Sequence, residues 1–449
     1  MNNLPKELKV LVSKCVNLLG EVIKEEEGEK VYSEVENIRL EMVEYRKASK
    51  RGKETLLQNL YKKLNLKNSK RRHQVAHAFT LMMEIINACE ASYRTFRLRE
   101  SKSEKDLQKQ DGMLIYVLTA HPTEARTPQN IDLFHRIQNI MLRILEKSGE
   151  QEYLLSLIKH NLKLAWILPI TRHEKPQVVD EAKHIFSIIM RPDVFNTLLR
   201  ANRDLGTVRV RTWVGGDKDG HPGVDEKVMK ACLQASRDHF VEAILRLMGT
   251  IEKDIAYLDN KKINLQLKEF NQCLKGITTL RANDYQHVEA LNKQIEKFSV
   301  VYQTIVGADN PRLRKLKSII ELFPGLVIPI EIREDSEIIK QALNSDRPLA
   351  IERMLTSLKE ICGADKLRNY AQGMIISMCE SYGDVLNAMA LLKRSVGNLS
   401  IPVIPLFETA QALEDSSQIV AQMLANNTYC KQIKNKWNRE KKEGSGYNQ

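Results

Sequence analysis

The sequence predicts a mainly α-helical chain built on a parallel β/α barrel of the TIM type, incomplete at five strands and decorated by many helices. Three observations predict it. Five short β-like runs, Met113–Thr119, Val208–Trp213, Leu326–Ile332, Met374–Met378 and Val403–Phe407, are separated by stretches of helical periodicity. Each run ends on a polar or charged cluster, and a β/α barrel gathers its chemistry at the carboxyl ends of its strands. From Leu326 onward strand-like and helical segments alternate quickly, as βα units do.

In chain order, residues 1–110 read as an amino-terminal helical region. Leu4, Leu8, Leu11 and Val12, then Leu18, Leu19, Val22 and Ile23, recur at spacings of three and four with Lys and Glu among the residues between. His77–Arg97, rich in Met, Ala and Ile, is a second long helix. Residues 111–425 read as the partial barrel with helical insertions. After its first strand come an amphipathic helical pair over 129–165, a polar stop at Arg172–Pro176 and a helix over Val178–Met190. Residues 225–320 are helical with breaks near Gly276–Asp284 and Gly307–Pro311. Helices over 334–343, 348–361, 383–395 and 411–425 alternate with the last strands. Residues 426–449 read as a basic tail that loses apolar periodicity.

A chain of 449 residues can bury a large core, and 43% hydrophobic with 28% charged residues is ordinary for a soluble protein. No apolar run reaches the roughly 18 residues of a membrane span. The start, Met1-Asn2-Asn3-Leu4-Pro5-Lys6-Glu7, lacks the basic-then-apolar order of a signal peptide. Seven scattered cysteines without a Cys-x-x-Cys pair argue against a disulfide framework and a zinc site, and fit a cytoplasmic location. The net charge of +12 is spread along the chain, and the aromatic residues, 6% of the total, do not interleave with its basic runs. That favours a solvated surface attractive to anionic metabolites over a nucleic-acid platform.

The strand ends carry the candidate chemistry. Pro122 restricts the backbone beside His121, whose imidazole can then steady developing negative charge or move a proton. A turn-capping histidine is the plainer alternative, but Thr123, Glu124 and Arg126 crowd the same loop. Trp213 leads into Gly215, Gly216, Asp217, Lys218, Asp219 and Gly220, where glycines allow close backbone approach and aspartates bind a cation or brace arginines. This loop either acts on substrate or holds the site in shape. Arg333 offers a fork for phosphate or carboxylate, with an ion pair to Glu331, Glu334 or Asp335 as its competitor. Glu408 is a Mg²⁺ ligand or a solvated carboxylate opening the next helix. An imidazole, an acidic Gly-rich loop, an arginine and a carboxylate together suggest an anionic substrate and a metal.

These residues resemble the bacterial and plant phosphoenolpyruvate carboxylases. Leu118-Thr119-Ala120-His121-Pro122-Thr123-Glu124 is similar to the family's histidine motif, and Trp213–Pro222 to its Gly-Gly-Asp-Arg-Asp-Gly-Asn-Pro loop. Val178–Lys183, Ile332–Ser336 and Pro405–Thr409 resemble further family stretches in the right order, so the likeness spans residues 110–425. Lys218 and His221 replace the family's Arg and Asn, and Arg126-Thr127-Pro128 stands where paired arginines are usual. The family's chains are roughly twice as long. Its later Gly-Tyr-Ser-Asp-Ser-x-Lys-Asp block, Phe-His-Gly-Arg-Gly-Gly loop and carboxyl-terminal inhibitor site have no counterpart in this sequence.

The resemblance implies carboxylation of phosphoenolpyruvate by bicarbonate to oxaloacetate and phosphate, feeding the tricarboxylic acid cycle, with Mg²⁺ or Mn²⁺. It implies that His121 steadies carboxyphosphate, Arg333 holds phosphate and Glu408 binds the metal. Trp213, Gly215, Gly216, Asp217, Lys218, Asp219 and Arg126 would line the substrate pocket. It further implies a homo-oligomeric habit and, given the length, a truncated chain that is inactive alone and pairs with a separately encoded carboxyl-terminal half. The alternative is a non-catalytic remnant, or a helical protein that binds partners.

Overall fold

A computed structural model describes residues 4–65, 67–100, 113–119, 126–171, 177–204, 206–219 and 223–437. The chain divides into two compact units, Met1–Asp106 with Thr123–Lys175, and Leu107–Pro122 with Pro176–Gln449.

The first unit is helical. Its elements are α1 (Lys6–Glu27), α2 (Glu29–Lys47), α3 (Lys50–Asn65), α4 (Ser69–Glu100), α5 (Pro128–Leu145) and α6 (Gln151–Ile167). In α1 the apolar residues at spacings of three and four are the buried ones, Leu8, Leu11, Cys15, Leu19, Val22 and Ile23. They share one core with Ala78, Leu81, Ile85 and Cys89 of α4 and with the inner faces of α5 and α6. Gly28 separates α1 from α2 at φ 85°, a conformation few other residues adopt. Thr127 opens α5 by accepting a hydrogen bond from the Asn130 N–H, with Pro128 at the first helical position. His77 Nε2 lies 3.1 Å from the Trp166 carbonyl, and burial holds this imidazole below its ordinary pKa.

The second unit carries the sheet. Its strands are β1 (Met113–Leu118), β2 (Thr207–Thr212), β3 (Ile330–Asp335), β4 (Ala371–Ser377) and β5 (Val403–Pro405). They lie in sequence order, and every neighbouring pair is parallel. Between β1 and β2 this unit contributes α7 (Val178–Ile189) and α8 (Pro192–Asp204). The β2–β3 connection holds α9 (Glu226–Ala256), α10 (Lys261–Gly276), α11 (Asp284–Val306) and α12 (Pro311–Leu322). Then come α13 (Ser336–Asn344), α14 (Ala350–Cys362), α15 (Tyr382–Val396), α16 (Ala410–Ala425), α17 (Asn427–Gln432) and a last helical turn to Trp437. Sequential parallel strands with helical crossovers are the wall of a β/α barrel, and eight strands close one. The fold is therefore a mainly helical chain with an incomplete β/α barrel, five strands wide among the described residues.

The third strand starts later than its apolar run suggested. Leu326 sits at φ 47° and Pro329 has no N–H, so the regular ladder begins at Ile330. The preceding segment is still anchored, because the Ile328 N–H donates to Ser236 Oγ and the Pro329 carbonyl accepts the Thr212 N–H. Behind this corner lies Arg237 of α9, fully buried. Its guanidinium pairs with Asp284 at 2.6 Å and donates to the carbonyls of Ile277, Gly325 and Leu326. The Tyr370 hydroxyl donates to the same carboxylate at 2.6 Å. One ion pair thus ties the helical insertion to the segments that launch β3 and β4. At one edge of the sheet, the side chains of Met113–Val117 are 38–51% exposed. No described helix is long and apolar enough to cross a membrane.

Candidate functional site

The loop after β2 is laid directly on β3. The Trp213 carbonyl accepts the N–H groups of Gly216 and Asp217, folding the chain into a tight turn. The Arg333 N–H then donates to the Gly216 carbonyl at 2.9 Å, and the Arg333 carbonyl accepts the Lys218 N–H at 3.0 Å. So close an approach requires both glycines. A Cβ at Gly216 would lie 2.1 Å from the Glu331 carbonyl oxygen, and one at Gly215, at φ 85°, would lie 2.6 Å from Cys232 Cβ. In this structure the two glycines act through the backbone, holding the acidic loop against the strand that carries Arg333.

Arg333 ends up among carboxylates from other strands, and none of its sequence neighbours is its partner. Its Nη2 is 2.8 Å from Asp219 Oδ2 and 3.0 Å from Glu408 Oε1, and its Nε is 3.8 Å from Asp217 Oδ1. The guanidinium lies 5.5 Å from the Trp213 ring centroid. Its side chain is 12% exposed, and its buried Nε makes no hydrogen bond. A buried donor held in place yet unpaired is unusual and fits recognition of a further oxygen. The neighbours considered as competitors are engaged elsewhere. Glu331 binds Arg211 and Trp213, Glu334 pairs with Lys218 at 3.0 Å, and Asp335 caps α13. Adjacent strand residues face opposite sides of a sheet, which separates Glu334 from Arg333, while Glu331 and Asp335 share its face but are held by these other partners.

Glu408, just beyond β5, accepts from Arg333 with one oxygen and from the Met378 N–H at 3.0 Å with the other. Asp219 is also bonded by Ser377 Oγ at the end of β4. Asp219 and Met378 both have positive φ, 31° and 51°. Strained backbone of this kind clusters where a site is held in shape. The polar residues that follow this strand end are structural, since Ser381 and Asp384 form the capping box of α15. Burial pushes the Cys379 thiol up to about 11. Ser377 and Met378, which close the β4 run, were not among the candidates, and only the folded register brings them to Asp219 and Glu408.

Among the described residues no three His, Cys, Asp or Glu side chains converge as a metal cage. Mg²⁺ usually takes one or two carboxylates together with substrate oxygens, so Glu408 fits as a single ligand of a shared site. His121 lies outside the described residues, as does Gly220. Arg126 belongs to the helical unit, where it pairs with Glu84 at 2.8 Å. Trp213, Gly215, Gly216, Asp217, Lys218, Asp219, Arg333 and Glu408 are thus gathered at one end of the sheet, from β2, β3 and β5.

A family model described as phosphoenolpyruvate carboxylase matches residues 8–115, 110–321 and 330–443. The chain is 25% identical over 536 residues to the phosphoenolpyruvate carboxylases of Pectobacterium carotovorum and Yersinia pestis, and 26% identical to that of Pectobacterium atrosepticum. Each match covers 96% of this chain and 60% of the relative, so the chain spans well under two thirds of the curated relatives' length. With that family model matched over well more than half of its residues, the chain belongs to the phosphoenolpyruvate carboxylase family.

Proposed function

We propose that this chain supplies the amino-terminal part of an enzyme that carboxylates phosphoenolpyruvate with bicarbonate, giving oxaloacetate and phosphate. The observation that carries the reading is Arg333, a largely enclosed guanidinium whose Nε makes no hydrogen bond to a described residue, set on Trp213 at the mouth of the sheet. In the proposed reaction a bicarbonate oxygen attacks phosphorus and the bond from phosphorus to the enol oxygen breaks. The carboxyphosphate so formed releases CO₂ and phosphate, and the enolate carbon captures CO₂. Arg333 would hold the transferred phosphoryl group by parallel hydrogen bonds. His121 would steady carboxyphosphate and its charge. Trp213 and the Gly215–Asp219 loop would shape the bicarbonate side and exclude water, with Lys218 a brace for Glu334. Bound Mg²⁺ or Mn²⁺, held in part by Glu408, would screen negative charge on the enolate oxygen.

The chain alone should not turn over. Around Arg333 and Lys218 stand four carboxylates, Asp217, Asp219, Glu334 and Glu408. A mouth with more acids than bases repels a polyanionic substrate until Mg²⁺ screens it, and turnover needs further cations beyond the described residues. We place their source in the part of the relatives' length that this chain does not span, and the assembly in the cytoplasm as a homo-oligomer. A coupled oxaloacetate assay tests this. Chain alone should show no turnover, and adding the carboxyl-terminal portion of a relative should restore it. His121→Asn should abolish the restored rate while the helical content stays unchanged. Turnover by the chain alone at the rate of a full-length relative, or equal rates for His121→Asn and parent assemblies, would overturn the reading.

A further inference from the structure

The barrel interior below Arg333 is occupied by a charged layer. Arg211 of β2, Glu331 of β3 and Gln372 of β4 are all 6–7% exposed, on three adjacent strands. Such layers in β/α barrels are usually filled by branched aliphatic side chains. Here Arg211 Nε donates to Gln372 Oε1 at 2.6 Å, and its Nη1 donates to Glu331 Oε1 at 3.1 Å. The other oxygen of Glu331 accepts the Trp213 indole N–H at 2.7 Å. Strand periodicity explains the stacking, since residues 211 and 213, like 331 and 333, are two apart and share a face. Each pair places its polar partner one layer beneath the mouth. A buried ion pair is weak evidence for stability, because an apolar replacement of similar size is often as stable. Something other than stability must account for it.

We infer that Glu331 is a positioning residue. Anchored by Arg211, which Gln372 holds in turn, it fixes the Trp213 indole as the platform on which the Arg333 guanidinium rests. This deepens, and rests on, the reading of Arg333 as the phosphate-binding group. Glu331 touches no substrate. Its effect passes through the ring, whose face attracts the guanidinium only at a set angle and distance.

The test uses the full chain with isotope-labelled tryptophan and arginine side chains, and the double variant Arg211→Met with Glu331→Leu. That variant should melt no lower than the parent. The Trp213 indole N–H resonance should lose the downfield position of a carboxylate-bound donor, while those of Trp166 and Trp437 stay put. The Arg333 Nε–H resonance should move with it, and phosphoenolpyruvate in Mg²⁺ should bind about tenfold more weakly. Should the double variant fail to fold, Glu331→Gln, which keeps an acceptor for the indole, should shift both resonances part of the way. An Arg333 resonance that stays fixed while that of Trp213 moves would overturn the inference, as would an affinity within twofold of the parent. A parent that binds no phosphoenolpyruvate would refute the phosphate reading instead, and the two resonances would still decide whether Glu331 positions Arg333.

Discussion

Asp284→Asn is expected to destabilise the β/α unit by about 3–5 kcal/mol, the usual range when one partner of a buried ion pair is removed. The substitution is nearly isosteric, so packing is preserved and the loss is electrostatic. Arg237 is fully buried, and among the described residues Asp284 is the only carboxylate that any of its five hydrogen bonds reaches; the others go to the carbonyls of Ile277 in the helical insertion and of Gly325 and Leu326 ahead of β3. An amide at position 284 would leave a guanidinium in the interior without a counter-charge. It would also force the Tyr370 hydroxyl to donate to a weaker acceptor. Urea unfolding followed by circular dichroism measures the effect. A loss of that size against a typical total of about 5–15 kcal/mol moves the midpoint far to lower urea. A change below about 1 kcal/mol would show that the corner does not depend on the pair.

Gly216→Ala should abolish the mouth of the site and destabilise the unit by about 3 kcal/mol or more, at the upper end of overpacking effects. The clash is with a backbone carbonyl oxygen, 2.1 Å from the added carbon, and no rotamer change relieves it. The loop must lift away from β3, breaking the exchange between the Gly216 carbonyl and the Arg333 N–H and between the Arg333 carbonyl and the Lys218 N–H. Asp217 and Asp219 then leave the guanidinium. Amide exchange at Lys218 and Arg333 should rise sharply in the variant. Protection equal to the parent at those two amides would mean that the loop tolerates the methyl group and that the double glycine has another purpose.

The fold was legible because its strands are short, apolar and bounded. Each of the five runs read from the sequence overlaps a strand, with β3 displaced to Ile330–Asp335 behind Leu326 and Pro329 and β4 beginning earlier, at Ala371. Helices over 336–344, 350–362, 382–396 and 410–425 fall within three residues of the sequence reading, since Asp335, Ser381, Thr409 and the Gly363 and Gly397 stops mark their ends. Partners were less legible. Glu331, Glu334 and Asp335 are closest to Arg333 along the chain, yet Asp217, Asp219 and Glu408 reach it, each from 75 or more residues away. Alternation of faces turns Glu334 away, Glu331 and Asp335 are held by other partners on the shared face, and parallel registry brings distant strand ends together. The buried layer of Arg211, Glu331 and Gln372 left no sequence signal at all, because a charged residue inside an apolar strand reads as a solvent-facing one until the opposite wall is known.

The claim on which the account turns is that Arg333 is an anion-binding group whose carboxylate neighbours must first be screened. Calorimetric titration of phosphoenolpyruvate into the full chain tests it most directly, with and without Mg²⁺, for the parent and for Arg333→Gln. Binding should be detectable only with Mg²⁺, because Asp219 and Glu408 otherwise occupy the guanidinium. The variant should lose about ten- to a hundredfold in affinity, the worth of charge-assisted hydrogen bonds. Equal affinity for parent and Arg333→Gln, or no binding by the parent at any Mg²⁺ concentration, would contradict it.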